Sequence, residues 1–221
     1  MTTEIQWQQL QTFMFDMDGT LLDLAFDNFF WRELVIRAWA EQQGLDLVSA
    51  QHTLQPIFRA QEGSLNWYSL PYWSDQLNLD LQQLKHEHRA RIAIRHDVEV
   101  VLETILSAGK TLWLVTNAHP HALEIKLEQT GLARYFHEII TSHDYGYAKE
   151  QAPFWQALQQ DKPFEPQASL LIDDSESVLH AASAFGLHVL GIVQPDSTLP
   201  KRADLYFPAL DRWSSFIDQM N

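Results

Sequence analysis

Hydrophobic positions change period several times along the chain, and the changes mark its elements. Phe13-Met14-Phe15 is a short apolar run closed by acids and a glycine, the pattern of a buried strand. Over residues 28–43, Phe30, Leu34, Ala38 and Trp39 recur at helical spacing, with Gly44 placed as a C-terminal cap. Residues 47–61 predict a second helix that Pro56 should kink or break. Residues 67–77 are unusually aromatic, and 80–95 predict a polar, basic helix capped by Asp80. No strand pattern appears anywhere from Ala25 to Arg95.

Strand and helix patterns then alternate. Val98, Val101, Leu102, Ile105 and Leu106 mark a helix ended by Gly109, and the strand 112–115 runs into Thr116-Asn117. A helix over 120–129 closed by Gly131, a strand over 138–141 and a helix over 154–159 follow. The strand 169–172 ends at Asp173-Asp174, a helix runs to Gly186, and 189–193 and 205–207 predict two late strands. This alternation predicts an α/β fold: a Rossmann-like parallel sheet core made of residues 1–24 and 96–221. A small all-helical cap domain, residues 25–95, is inserted after the first strand. The acidic and polar motifs all fall just after strands, at the carboxyl edge where open α/β sheets bind ligands.

Composition narrows the partners. The 221 residues are 46% hydrophobic with 8 Gly and 9 Pro, a globular balance. A formal charge of −14 argues against a nucleic acid polymer or an anionic membrane as partner. It does not exclude a small phosphate ester, because one metal ion can invert the local field. There is no cysteine, hence no disulfide framework and no thiolate chemistry. Residues 1–11 are polar and no apolar run approaches a membrane span, so a soluble, cytoplasmic protein is expected. The sequence leaves the oligomeric state open.

Asp16 and Asp18 stand at the mouth of the first predicted strand, and Gly19 lets the chain turn sharply behind them. Carboxylates this close repel unless one is protonated or a cation neutralises them. Such a pair suits Mg²⁺, which takes carboxylate and phosphate oxygens together. A solvated acidic turn would look the same in isolation, but Thr116-Asn117, Lys149 and Asp173-Asp174 follow in order.

In that order the set resembles the signature of the haloacid dehalogenase-like hydrolases, most of which are phosphatases. Residues 16–28 (DMDGTLLDLAFDN), 65–68 (LNWY), 72–74 (YWS) and 116–121 (TNAHPH) resemble the bacterial GMP/IMP nucleotidases of that superfamily, with Phe185-Gly186 and 195–197 (PDS) fitting the same comparison. The resemblance implies that Asp16 is the nucleophile forming an aspartyl-phosphate and that Asp18 is the general acid and base. Thr116 and the amide of Asn117 would bind phosphoryl oxygens, and Lys149 would offset their charge. Asp16, the carbonyl of Asp18, and Asp173 and Asp174 would hold Mg²⁺, with Asp174 as the direct ligand of that last pair. The expected substrate is a small phosphorylated metabolite, a purine mononucleotide first, with a sugar phosphate or phosphoglycolate as alternatives. Two departures stand out: Glu150 follows Lys149 where the commoner form has proline, and Val178 replaces a polar residue.

Weaker signals are open to plain structural readings. Trp67, Tyr68, Tyr72 and Trp73 offer stacking surfaces for a purine but also suit a cap core, and Asn66 and Arg59 could contact base or phosphate. His119 and His121 read as helix-entry or substrate-facing groups, and Ser175 as a helix cap. Lys85, His86, His88, Arg89 and Arg91 read as a solvated basic face. Asp23 is expected at the hinge between core and cap.

Overall fold

A computed structural model describes residues 7–216. Its sheet has six parallel strands: β1 (Thr12–Phe15), β2 (Thr111–Thr116), β3 (Glu138–Thr141), β4 (Ser169–Ile172), β5 (His188–Ile192) and β6 (Ala209–Leu210). Their order is β3-β2-β1-β4-β5-β6. The chain steps to one side of β1 for β2 and to the other for β4, so the sheet's switch point lies at the end of β1.

Side chains alternate across the strands, and the alternation divides the core. Phe13, Phe15, Leu112, Leu114, Leu170 and Ile172 join one buried cluster. Met14, Trp113, Val115 and Leu171, one residue out of step, join the other. Both faces are therefore covered, which is why these strands read as continuous apolar runs.

Between β1 and β2 the chain is helical. It forms α1 (Ala25–Phe29), α2 (Val35–Gln43), α3 (Leu47–Arg59), α4 (Leu70–Leu77) and α5 (Leu81–Glu87). A π-helical turn, Phe30–Leu34, joins α1 to α2, and Gly44 ends α2 at φ +65°. Later come α6 (Val98–Ser107), α7 (Pro120–Thr130), α8 (Ala152–Asp161) and α9 (Glu176–Phe185).

Three local expectations are corrected. Pro56 lies inside α3 without breaking it; His52, whose carbonyl the proline frees, is exposed, so water can satisfy that group. The helix predicted over 80–95 stops at Glu87, and a 3₁₀ turn, Arg89–Arg91, follows. The chain must straighten there to lie beside Leu22: Asp23 N–H donates to the Ala93 carbonyl at 2.9 Å and Arg95 N–H to the Leu21 carbonyl at 2.9 Å. Residues 205–207 form no strand. The β5 ladder begins at the Pro208 carbonyl, which accepts from Gly191 N–H at 2.8 Å, and Tyr206 is 74% exposed.

Candidate active site

Register places the motif residues together. Phe15 pairs with Leu114 of β2 and Ile172 of β4, so Asp16, Thr116-Asn117 and Asp173-Asp174 emerge side by side at the carboxyl edge. Lys149 comes from the loop between β3 and α8, and it is 1% exposed. Its ammonium donates to Asp16 Oδ1 at 2.6 Å, Asp173 Oδ2 at 2.7 Å and the Val115 carbonyl at 2.9 Å. Its backbone is fixed as well: Lys149 N–H donates to Asn117 Oδ1 at 2.9 Å, and Trp155 Nε1 donates to the Lys149 carbonyl at 2.8 Å. The missing proline at 150 thus leaves Lys149 firmly placed. Val178 is buried among the apolar side chains of the second cluster.

Asp16, Asp173 and Asp174 each offer an oxygen, all within 4.8 Å of one another. Three hard oxygen donors at this spacing fit Mg²⁺. Burial pushes the Asp16 carboxyl up to about 6, with Asp173 adding to the rise and Lys149 opposing it. Burial and then Asp173 and Asp16 raise Asp174 well above the usual carboxylate range. Asp173 is committed to Lys149 through Oδ2 and to Ser175 N–H through Oδ1 at 2.8 Å. Among the described residues the Asp174 carboxylate has only a 3.3 Å contact from Arg202. Gly19, at φ +84°, leaves the space this group needs: a Cβ there would lie 2.8 Å from Asp174 Cγ and Oδ2.

A buried chain of charges runs from Asp18 into the helical segment. Lys126 of α7 contacts Asp18 Oδ2 at 2.6 Å and Asp27 Oδ2 at 2.8 Å. Lys85 of α5 donates to Asp27 Oδ1 at 2.6 Å. Lys85 is 2% exposed, so it is not the solvated basic group its neighbours suggested; its ammonium also sits 4.4 Å from the Phe30 ring centroid. Burial opposes ionisation of Asp27, yet Lys126 and Lys85 together hold its carboxyl below the usual range. Burial likewise pushes Asp18 up to about 6 against the pull of Lys126. Asp18 Oδ1 has no partner among the described residues. Neither lysine nor Asp27 was singled out as a site residue from sequence, although Lys126 follows Ala122 and Leu123 on the buried face of α7. A lysine on an apolar stripe was the available signal.

All nine site residues expected from sequence line one cavity of about 720 Å³. Asp16, Asp18, Thr116, Asn117, Lys149, Asp173 and Asp174 form its floor, and Trp67 and Tyr68 stand on the helical side. Trp31, Arg32, Gln55, Phe58, Arg59 and Glu62 complete that side. Tyr68 crosses to the floor: its hydroxyl donates to Glu150 Oε1 at 2.5 Å, and Glu150 Oε2 accepts from Asn117 Nδ2 at 2.9 Å. Glu150, seen in sequence only as a departure, therefore clasps the helical segment to the Thr116-Asn117 loop. Trp73 is 1% exposed and packs edge-on against Phe58, with centroids 4.9 Å apart. Asn66 bonds Gln61 instead of facing the cavity.

Other side chains have structural partners. His119 caps α7, accepting from His121 N–H at 3.2 Å, and its ring lies 4.9 Å from that of His143. Burial and the neighbouring imidazoles lower His119 to about 4. Ser175 occupies the N-cap position of α9 without a side-chain cap bond. Asp23 Oδ1 accepts from Ala25 N–H at 3.0 Å and from Ser197 N–H at 3.1 Å, tying the start of α1 to the loop after β5.

A sheet with the Asp16-bearing strand at the switch point, and this ordered set along its edge, defines a class. The chain belongs to the haloacid dehalogenase-like hydrolase family, whose model matches residues 13–192. It is 38% identical to the GMP/IMP nucleotidase YrfG of Escherichia coli (strain K12) over 221 residues, 100% of both chains. It is 28% identical to a phosphoglycolate phosphatase of Vibrio vulnificus (strain YJ016) over 195 residues, 84% of each. A crystal structure of a HAD phosphatase from Thermococcus onnurineus shares the fold at a TM-score of 0.79 and 19% identity, covering 95% of this chain and 97% of that one. Among the described residues no helix is long and apolar enough to cross a membrane.

Proposed function

We propose that this chain is a cytoplasmic, Mg²⁺-dependent phosphomonoester hydrolase that acts through an aspartyl-phosphate on purine mononucleotides, GMP and IMP. The observation that carries the reading is the single cavity of about 720 Å³ joining Asp16 to Trp67. It lies in the range of sites that enclose a drug-sized ligand, which is more than a two-carbon phosphate ester requires. The full-length relative named as a GMP/IMP nucleotidase supports the same substrate. In this reading residues 25–95 are a cap over a core of residues 1–24 and 96–221, with Asp23 at the hinge.

The first half-reaction joins an Asp16 carboxylate oxygen to phosphorus as the ester P–O bond breaks. Asp18 gives its proton to the departing ribose oxygen; a carboxyl raised to about 6 by burial gains and loses a proton more readily near neutral pH than an ordinary carboxyl does. Water then attacks phosphorus, Asp18 takes back a proton, and the Asp16–phosphorus bond breaks to release inorganic phosphate. Thr116 and the Asn117 amide hold phosphoryl oxygens, while Lys149 offsets charge on them and on Asp16. Asp16, the Asp18 carbonyl, Asp173 and Asp174 would hold Mg²⁺, with Asp174 the less committed carboxylate and hence the direct ligand. When bound, the ion supplies a positive charge that offsets the phosphoryl oxygens as the nucleophile approaches.

Asp18 also separates this chemistry from dehalogenation, since halide departs without a proton. The test is phosphate release with Mg²⁺ from GMP, IMP, AMP, pyrimidine nucleotides, sugar phosphates and phosphoglycolate. Preference for GMP and IMP is expected. Preference for phosphoglycolate or a sugar phosphate would keep the chemistry and discard the nucleotide.

A further inference from the structure

The helical wall of the cavity carries more than stacking surfaces. Gln51, Gln55, Phe58, Arg59 and Glu62 recur at spacings of three and four residues along α3 and the turn after it, so one helical face looks onto the cavity. Most charged groups in this cavity are already engaged: Lys149 with Asp16, Lys126 with Asp18, and Lys85 with Asp27. Arg32, Arg59 and Glu62 are the exceptions, and of these only Arg59 and Glu62 lie on α3 and the turn after it. Among the described residues neither makes an ion pair or a side-chain hydrogen bond, and both are exposed to the cavity.

Trp67 is the third member of this corner. Trp31, Phe58 and Trp73 pack edge-on against one another, with centroids 4.9–6.4 Å apart. Trp67 packs in part against the core cluster and also lines the cavity, where it pairs with no other aromatic ring among the described residues. Gly63, at φ +77°, turns the chain back at the end of α3. Asn66 Nδ2 then donates to Gln61 Oε1 at 3.1 Å, pinning the 3₁₀ turn Leu65–Tyr68 beside Arg59 and Glu62.

We propose that Arg59 and Glu62 read the edge of a 6-oxopurine base stacked on Trp67, and so set the base preference of the nucleotidase activity. The assignment rests on the nucleotide reading above. A 6-oxopurine presents two acceptors, O6 and N7, beside an N1–H donor; a guanidinium fits the first pair, and a carboxylate fits the donor. Adenine reverses the pattern at positions 1 and 6, placing an amino group against Arg59 and a lone pair against Glu62. Guanine adds a 2-amino donor that the same carboxylate can accept, whereas hypoxanthine does not.

The test compares kcat/KM for GMP, IMP and AMP in the wild type, Glu62→Gln and Arg59→Met. A carboxylate–base pair of this kind discriminates by about tenfold to a hundredfold. Glu62→Gln is expected to lower GMP by about that factor, IMP by less, and AMP not at all. Arg59→Met is expected to lower GMP and IMP together, because both carry O6 and N7. Both side chains are exposed, so neither change opens a hole in the core. A wild type that prefers GMP but whose preference survives both changes, or falls equally for all three substrates, would overturn this assignment alone. A wild type that hydrolyses only non-nucleotide esters would overturn the assignment and the nucleotide reading together.

Discussion

Replacing Asp27 by Asn tests whether one carboxylate holds two buried lysines in place. Asp27 Oδ1 accepts from Lys85 at 2.6 Å and Oδ2 from Lys126 at 2.8 Å, and each lysine is no more than 2% exposed. At these separations each attraction is roughly 6 kcal/mol for an effective dielectric of about 20, set against the desolvation of all three groups. The amide removes the charge and retains one acceptor, so Lys85, which has no other carboxylate in contact among the described residues, becomes a nearly uncompensated buried cation. Lys126 keeps Asp18. Breaking a buried pair in this way costs about 3–5 kcal/mol. Urea denaturation of the wild type, Asp27→Asn, Lys85→Met and the double variant should show that loss in the first. Asp27→Asn should then cost much less in the Lys85→Met background, since the stranded charge is gone. A loss below about 1 kcal/mol, or strictly additive changes, would refute the argument.

Two further outcomes follow from the same geometry. Tyr68→Phe removes the donor to Glu150 and should destabilise by about 1–2 kcal/mol while lowering kcat/KM for GMP, because Glu150 also orients Asn117; unchanged kinetics would show the clasp to be independent of the site. Burial raises the Asp16 and Asp18 carboxyls from the ordinary 3.8 to about 6 in the folded chain. Their ionisation therefore opposes folding: the penalty is absent below about pH 4 and full above about pH 6, about 3 kcal/mol for Asp16 taken alone. Asp27, shifted the other way, titrates below this window. In chelator, unfolding free energy should fall from pH 5 to pH 7 by more in the wild type than in Asp16→Asn, and Mg²⁺ should restore it most at pH 7. The comparison is needed because His119, lowered to about 4, contributes an opposing rise that both proteins share. An equal pH dependence in the two proteins under chelation would contradict the sign.

What sequence could and could not reveal follows from where each signal resides. Asp16, Thr116, Asn117, Asp173 and Asp174 were legible because each abuts an apolar strand, and parallel pairing in register brings strand ends together. Lys149 was legible only as the third member of an ordered set; its burial depends on the contacts of a loop. Lys85 and Lys126 were missed because charge on a helix ordinarily means solvent, and only the tertiary fold delivers Asp27 between them. The π-helical turn at Phe30–Leu34 left no mark in the apolar spacing. The last strand was displaced to 209–210 because its aromatic run, including Tyr206, remains outside the sheet.

The central claim is that phosphate leaves its ester by way of Asp16. The most direct measurement is acid quenching of the enzyme during turnover of GMP with Mg²⁺, followed by mass analysis of the peptide that contains Asp16. The account predicts a phosphoryl adduct on Asp16 that is absent in Asp16→Asn, together with loss of phosphate release in that variant. Sustained phosphate release by Asp16→Asn, with no adduct in the wild type, would contradict it.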